Sequence, residues 1–228
     1  MHPFLDLPPS LDDAILSLNP TAFFPLTGGG SPLRDVARGW DATVTGSPTF
    51  GVPVRSPFER AVTFSGTGQY ATASPSVPTP ATSMSVLAFL STTNATASAR
   101  AMIGRAAALQ YSFELRLGNS HTVLFNPLQS SGSSHVVATV AGAINDGNWH
   151  MAGGTFDGTT CWCYRDLLSG SSTTLTGTWH KTSTAALQIA AFASGDLFPG
   201  TLSRVAYWAD RVLTAAEYRW LYSVAFES

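Results

Sequence analysis

The feature that most constrains this chain is a series of short apolar-alternating runs at close intervals, separated by Gly, Ser, Thr, Pro and Asn. Twelve runs stand out: 22–26, 41–45, 61–64, 69–73, 83–90, 111–117, 121–125, 135–141, 148–156, 159–166, 186–192 and 202–208. A period of two places successive side chains on opposite faces of a strand, and such runs bounded by turn formers mark an all-β chain. In 111–117, Tyr111, Phe113, Leu115 and Leu117 are expected inward, with Ser112, Glu114 and Arg116 outward. No helical pattern separates the runs, so a parallel sheet with crossover helices is excluded. A dozen strands call for two packed antiparallel sheets.

Two short helices flank the strands. Ser10 caps the first, with Asp12 and Asp13 in its first turn, and it ends near Asn19-Pro20. Thr214 and Glu217 form a capping box for the second, whose apolar side is Leu213, Tyr218, Leu221 and Tyr222. The Pro-rich stretch 75–83 has strand signals of one kind on both sides and reads as a long loop, so residues 13–228 form one domain. Residues 1–12 form an extended arm in which Phe4, Leu5 and Leu7, set among prolines, are suited to docking on a partner.

Charge narrows the function classes. Twelve Lys+Arg and fourteen Asp+Glu make only 11% of the chain, against about a quarter in ordinary soluble domains. With 44% hydrophobic content the chain has material for a core, and without basic clusters it is no candidate for nucleic acid. Lys181 is the only lysine, so exposed strand edges lack their commonest protection and a covered surface is expected. The N-terminus has no secretory-signal pattern and no apolar run approaches a membrane span. Cys161 and Cys163 lie two apart on one strand, a poor disulfide geometry, and are expected reduced and buried.

Five stretches stand out together: Leu18 to Leu26 with Asp35 to Val44, Ala61 to Tyr70, Ser83 to Val86, the Trp149-His150-Met151-Ala152-Gly153-Gly154-Thr155-Phe156-Asp157-Gly158 stretch, and Gly200 to Trp208 leading into Leu213 to Glu217. In order and spacing they resemble the laminin-G-like jelly roll of the concanavalin A-like lectin/glucanase superfamily. The resemblance runs over about residues 13–226 and implies a two-sheet jelly-roll β-sandwich. It departs where Trp40 replaces the usual Asn, Ser65 the usual Asp, and Leu167-Leu168-Ser169-Gly170-Ser171 a tight Asp-Gly hairpin. Some members hold calcium at the rim; with Trp40 and Ser65 substituted, no cofactor or metal is expected, and Asp35, Asp41 and Asp157 read as turn-stabilising side chains.

Related glucanases use paired carboxylates on one strand face. None of the four glutamates here, Glu59, Glu114, Glu217 and Glu227, has an acid two or four positions away. No catalytic residue and no enzyme activity is therefore expected, and His150 reads as structural. Aromatics carry the functional expectation. If Cys161 and Cys163 point inward, Trp162 and Tyr164 project from the opposite face as a platform for a sugar ring or a partner protein, unless the 176–184 loop with Trp179 folds over them. Trp40, in a rim turn, is a further contact candidate. The role expected from this set is a non-catalytic lectin-like structural or adhesion protein on a virion surface, a phage head-decoration or tail-associated subunit docked on other subunits, with a face for polysaccharide. The alternative is a stand-alone carbohydrate-binding lectin exported by a non-classical route, with glycoside hydrolase a distant third.

Overall fold

The computed structural model describes residues 9–54, 60–94, 100–107, 110–127, 137–175, 178–179 and 185–227. Helix α1 (Leu11–Ser17) is followed by β1 (Ala22–Phe24), β2 (Ala42–Thr45), β3 (Thr49–Pro53), β4 (Arg60–Ser65), β5 (Tyr70–Ala73), β6 (Met84–Ser91), β7 (Arg100–Ala107) and β8 (Gln110–Leu117). Then come β9 (Val123–Pro127), β10 (Ala138–Val140), β11 (His150–Phe156), β12 (Thr160–Arg165), β13 (Leu168–Thr174), β14 (Leu187–Ile189), β15 (Pro199–Ala209) and helix α2 (Ala215–Phe226). One antiparallel sheet has eight strands in the order β13-β12-β11-β6-β15-β4-β3, with β1 added beside β15; the other has seven, β10-β9-β8-β7-β14-β5-β2. The two-sheet sandwich with a short helix near each end is the expected architecture. Three strands lacked the alternating signal: β3 contains Gly51 and Pro53, β7 is rich in Ala and Gly, and β13 reads Leu-Ser-Gly-Ser-Ser-Thr-Thr.

The main core lies between the sheets and includes Phe24, Phe64, Phe113, Leu115, Phe125, Phe156, Phe198 and Tyr207. A second apolar cluster lies on the outer face of the eight-stranded sheet, where Ile15 of α1 and Tyr218 and Leu221 of α2 pack with Phe23, Leu87, Phe89, Met151, Tyr164 and Trp208. β6 is accordingly buried on both faces from Met84 to Leu90, whereas β8 of the seven-stranded sheet alternates Phe113, Leu115 and Leu117 with Ser112, Glu114 and Arg116. Both caps form as read: Asp13 N donates to Ser10 Oγ at 3.1 Å, and Thr214 and Glu217 close the capping box, with bonds of 3.2 and 2.7 Å.

β15 changes partners along its length. Residues 199–202 pair with β4 and residues 205–207 with β1, across an irregularity between Ser203 and Ala206. Arg204 sits at that irregularity with φ +46° and donates from Nε to Asp12 Oδ1 at 2.9 Å, pinning α1 to the sheet. Bulges re-aim side chains in this way. Asp12, placed in the arm on sequence, thus belongs to a helix tied to the domain, while Phe4, Leu5 and Leu7 lie outside the described residues.

The Pro-rich 75–83 loop is strapped to the body. Arg105 is buried in the core, where its guanidinium donates to Val77 O at 2.8 Å and Thr79 Oγ1 at 2.9 Å, and Tyr207 Oη donates to Pro78 O at 3.0 Å. Asp210 Oδ1 accepts from Ala81 N and Thr82 N at 2.8 and 2.7 Å. A linker would lack such ties.

Candidate functional site

Cys161 and Cys163 point into the main core and Trp162 and Tyr164 to the opposite face, but that face is not an open platform. Tyr164 is 7% exposed because α2 lies on it, its ring stacked on Tyr218 with centroids 4.2 Å apart. Trp162 is half-buried against the same cluster. Trp179 does not cover them: it is 3% exposed in the core between the sheets, edge-on to Phe156 at 4.9 Å, with Nε1 donating to Ser112 O. The expected contact roles of Tyr164 and Trp179 are therefore replaced by packing roles. The physical reason is Gly153, paired directly with Tyr164 across the strands; a Cβ there would stand 2.3 Å from the Tyr218 ring, so the bare glycine makes room for the helix.

Trp40 does line an accessible groove, of about 620 Å³, with Asn19, Pro20, Thr21, Arg38, Pro78, Asp210 and Arg211. One carboxylate builds its wall: Asp35 accepts from Phe23 N (2.7 Å), Ala37 N (3.0 Å), Arg38 N (3.1 Å) and Trp40 N (2.9 Å). Asn19 and Asp210, which line the same groove, both have positive φ, at +50° and +56°, a conformation that Asn and Asp visit more readily than other residues with a side chain.

The outer face of the seven-stranded sheet carries a feature the sequence did not reveal. Thr43, Thr72, Gln188, Gly104, Glu114 and Asn126 are each other's direct cross-strand partners, forming one row across β2, β5, β14, β7, β8 and β9. Core residues flank Thr72, Gln188 and Glu114 on both sides in sequence, as Phe113 and Leu115 flank Glu114, so the row faces away from the core. Five inter-strand steps of ~4.8 Å give it a length of about 24 Å. It is exposed at Thr43 and half-exposed at Thr72, and buried at Gln188, Gly104, Glu114 and Asn126.

At the row's centre the missing side chain of Gly104 is filled by Phe192, whose ring would lie 2.7 Å from a Cβ there. Phe192 is half-exposed and begins a turn closed by paired backbone bonds with Gly195 at 3.1 and 2.9 Å. Gln188 grips the turn with both ends of its amide, Nε2 to Ser194 Oγ (3.1 Å) and Oε1 from Ser194 N (3.0 Å). Ala190, Ala193, Ser194 and Asp196 all have positive φ. Beneath, Glu114 is 1% exposed; Oε1 accepts from Asn126 Nδ2 and pairs with Arg116, both at 3.1 Å, while Oε2 has no hydrogen-bond partner among the described residues. Burial pushes its carboxyl above the usual range, Arg116 and Asn126 work against that, and Asp196 adds to it.

Among the described residues no group of three or more His, Cys, Asp and Glu gathers as a metal site. Asp35 is occupied as described, Asp41 accepts from Asp35 N and Arg34, and Asp157 accepts from Thr159 N and Thr160 N. All three act as turn ties. His150 bridges Asp166 at 2.9 Å and Asp146 at 3.0 Å, joining the 146–149 turn to the β12–β13 hairpin.

A laminin-G family model, described as the concanavalin A-like lectin/glucanases superfamily, matches residues 65–217. No curated protein matches in sequence. Among solved structures, the binding domain of Paraclostridial Mosquitocidal Protein 1 superposes with a TM-score of 0.73 at 9% identity, over 93% of this chain and 54% of that one. Domain 4 of AbnA, a GH43 extracellular arabinanase from Geobacillus stearothermophilus, in complex with arabinotriose, has a TM-score of 0.63 at 14% identity, over 89% and 98%. The ligand-binding domain of botulinum neurotoxin serotype D, in complex with N-acetylneuraminic acid, has a TM-score of 0.67 at 11% identity, over 92% and 52%. The chain thus spans about half the length of these toxin domains. At such identities the structures share its fold. With the family model covering two-thirds of the sequence and the sandwich complete, the chain belongs to the concanavalin A-like lectin/glucanases superfamily.

Proposed function

We propose that this protein is a non-catalytic glycan-binding module that engages an extended neutral chain along the outer face of its seven-stranded sheet. The carrying observation is the accessible end of the row, the exposed Thr43 and the half-exposed Thr72, beside the half-exposed ring of Phe192, whose turn is held in place by Gln188. A sugar ring offers an apolar face and a rim of hydroxyls, which such an arrangement matches. The neighbours in complex with arabinotriose and with N-acetylneuraminic acid support a carbohydrate role. The roofed position of Glu114 suits holding the platform, and retention without release of reducing ends is expected.

The test is affinity electrophoresis and calorimetry on arabino-, xylo- and cello-oligosaccharides of three and six residues. Wild type should bind a six-residue chain more tightly than a three-residue one, and Phe192→Ala and the half-exposed Thr72→Arg should each weaken it about tenfold or more, equivalent to ~1.4 kcal/mol. Binding unchanged in both variants would remove the sheet face from consideration.

Docking on a protein, as in the virion subunit expected from sequence, has one observation in its favour: Leu167 and Leu168, at the β12–β13 hairpin, are each 49% exposed. Placement on a virion draws no support from the fold or its relatives. Leu167→Ser with Leu168→Ser should abolish co-sedimentation with a protein assembly if that reading holds, and leave glycan retention intact.

A further inference from the structure

The groove beside Trp40 lies apart from the sheet face and has different chemistry. Arg38 is exposed, and its one bond is from Nη2 to Asn19 Oδ1 at 2.9 Å, a neutral amide oxygen; among the described residues it has no carboxylate partner. The other guanidinium of the groove, Arg211, is committed to Glu217 at 2.8 Å and to Leu18 O. Asp210, the groove's carboxylate, stays ionised, its Oδ1 turned toward the backbone N–H groups of Ala81 and Thr82. What faces the opening is therefore rich in donors: the remaining N–H groups of Arg38, the amide of Asn19 and the half-buried indole of Trp40.

From this geometry we propose that the Trp40 groove is a second binding site, independent of the sheet face, for a carboxylated sugar residue. The guanidinium fork of Arg38 takes the carboxylate bidentately and the indole of Trp40 lies against the apolar face of the ring. Both residues are presented ready for this. Their backbone N–H groups are held by the single carboxylate of Asp35, and the guanidinium is steadied by Asn19, so little conformational freedom is lost on binding. An anion-binding arginine normally paired to a protein carboxylate would have to give that pair up first; Arg38 does not.

The experiment compares trigalacturonic acid with its methyl ester, the same rings without the charge, by tryptophan fluorescence and calorimetry on the whole protein. The acid should bind about tenfold or more tightly than the ester, as charge-assisted bonds to a guanidinium imply. Arg38→Ala should erase that difference, Arg38→Lys should restore only part of it because an ammonium cannot form the fork, and Trp40→Ala should weaken both ligands. Arg38 is exposed, so its variants should keep the wild-type melting transition. Equal affinity for acid and ester, or an acid preference surviving in Arg38→Ala, would overturn the proposal. Thr72→Arg, which blocks the sheet face, should leave trigalacturonate binding unchanged. If only Thr72→Arg abolishes it, the acid binds on the sheet and the groove assignment falls while the sheet-face reading stands. If neutral chains fail to bind while the acid still requires Arg38 and Trp40, the converse holds.

Discussion

Tyr164 of β12 and Tyr218 of α2 stack with ring centroids 4.2 Å apart and 21° between their planes, which converts the outer face of the eight-stranded sheet into a second core. Tyr218 Oη completes the contact by donating to the carbonyls of Gly154 (2.9 Å) or Val86 (3.0 Å). Tyr218→Ala is expected to cost about 3–5 kcal/mol, as for other fully buried aromatics, and Tyr218→Phe about 1–2 kcal/mol for the lost hydroxyl bond. Gly153→Ala, forced against the same ring, should cost ~1–3 kcal/mol. Urea denaturation of the three variants checks the order.

His150 gives stability a pH signature. Its imidazole is held above the usual range by the hydrogen bond to Asp166, with burial opposing and Asp146 assisting. Asp146 is held down to about 2 by hydrogen bonds from the Asn148 backbone and side chain and from His150. A raised imidazole contributes fully below its ordinary value of 6.5 and loses that contribution as pH rises through its folded value. A depressed carboxylate contributes above its ordinary 3.8 and loses it as pH falls toward about 2. The latch should be strongest between these limits. Melting of wild type and His150→Gln should therefore differ most near pH 5, and the difference should narrow as pH rises through the folded imidazole value and as it falls toward about 2.

The cysteines are expected to be inert while the protein is folded. Burial pushes the Cys161 thiol up to about 11 and raises that of Cys163, and their Sγ atoms lie near the carbonyls of Thr173 (3.4 Å) and Val123 (3.5 Å). Reactivity needs an accessible thiolate. A disulfide-exchange reagent at pH 8 should label neither thiol until denaturant unfolds the chain; rapid labelling of the native protein would contradict their inward placement.

Edge strands β10 and β13, lying on the same side of the two sheets, shield one another. Ser171 Oγ accepts from Thr139 N and donates to Thr139 O, each at 3.3 Å, and Thr173 Oγ1 donates to Val137 O at 3.0 Å. At the opposite edge of the larger sheet, β3 carries Pro53 and an irregularity at Gly51, whose carbonyl accepts from Arg60. Hydroxyls, a proline and a bulge can do what lysines do elsewhere, so the scarcity of charge has an explanation within a single chain. Ser171→Val with Thr173→Val should leave edge carbonyls unpaired and raise self-association at high concentration, seen by size-exclusion chromatography. A variant as dispersed as wild type would show that these bonds do not guard the edge.

Much of the fold was legible in local pattern. The alternation in 111–117 placed Phe113 and Leu115 inward and Glu114 outward, the spacing of Cys161 and Cys163 set Trp162 and Tyr164 on the other face, and Ser10 and the Thr214–Glu217 pair marked both helix starts. These are properties of neighbours in the chain, set by the periods of strand and helix and by the needs of unpaired N–H groups.

Burial and register were not legible there. Glu114 points outward yet is buried, because Arg116, Asn126 and the turn bearing Phe192 and Asp196 close around it. Tyr164 is likewise outward and covered, by a helix more than fifty residues later. The row joins residues from 43 to 188, and which residue of one strand meets which of another depends on pairings between distant segments that no local period encodes. Local chemistry determined that this chain makes strands, where its helices begin and which way its side chains turn; only the packing of two sheets and two helices decided which outward faces stay open to a ligand, because exposure is a property of what lies on top.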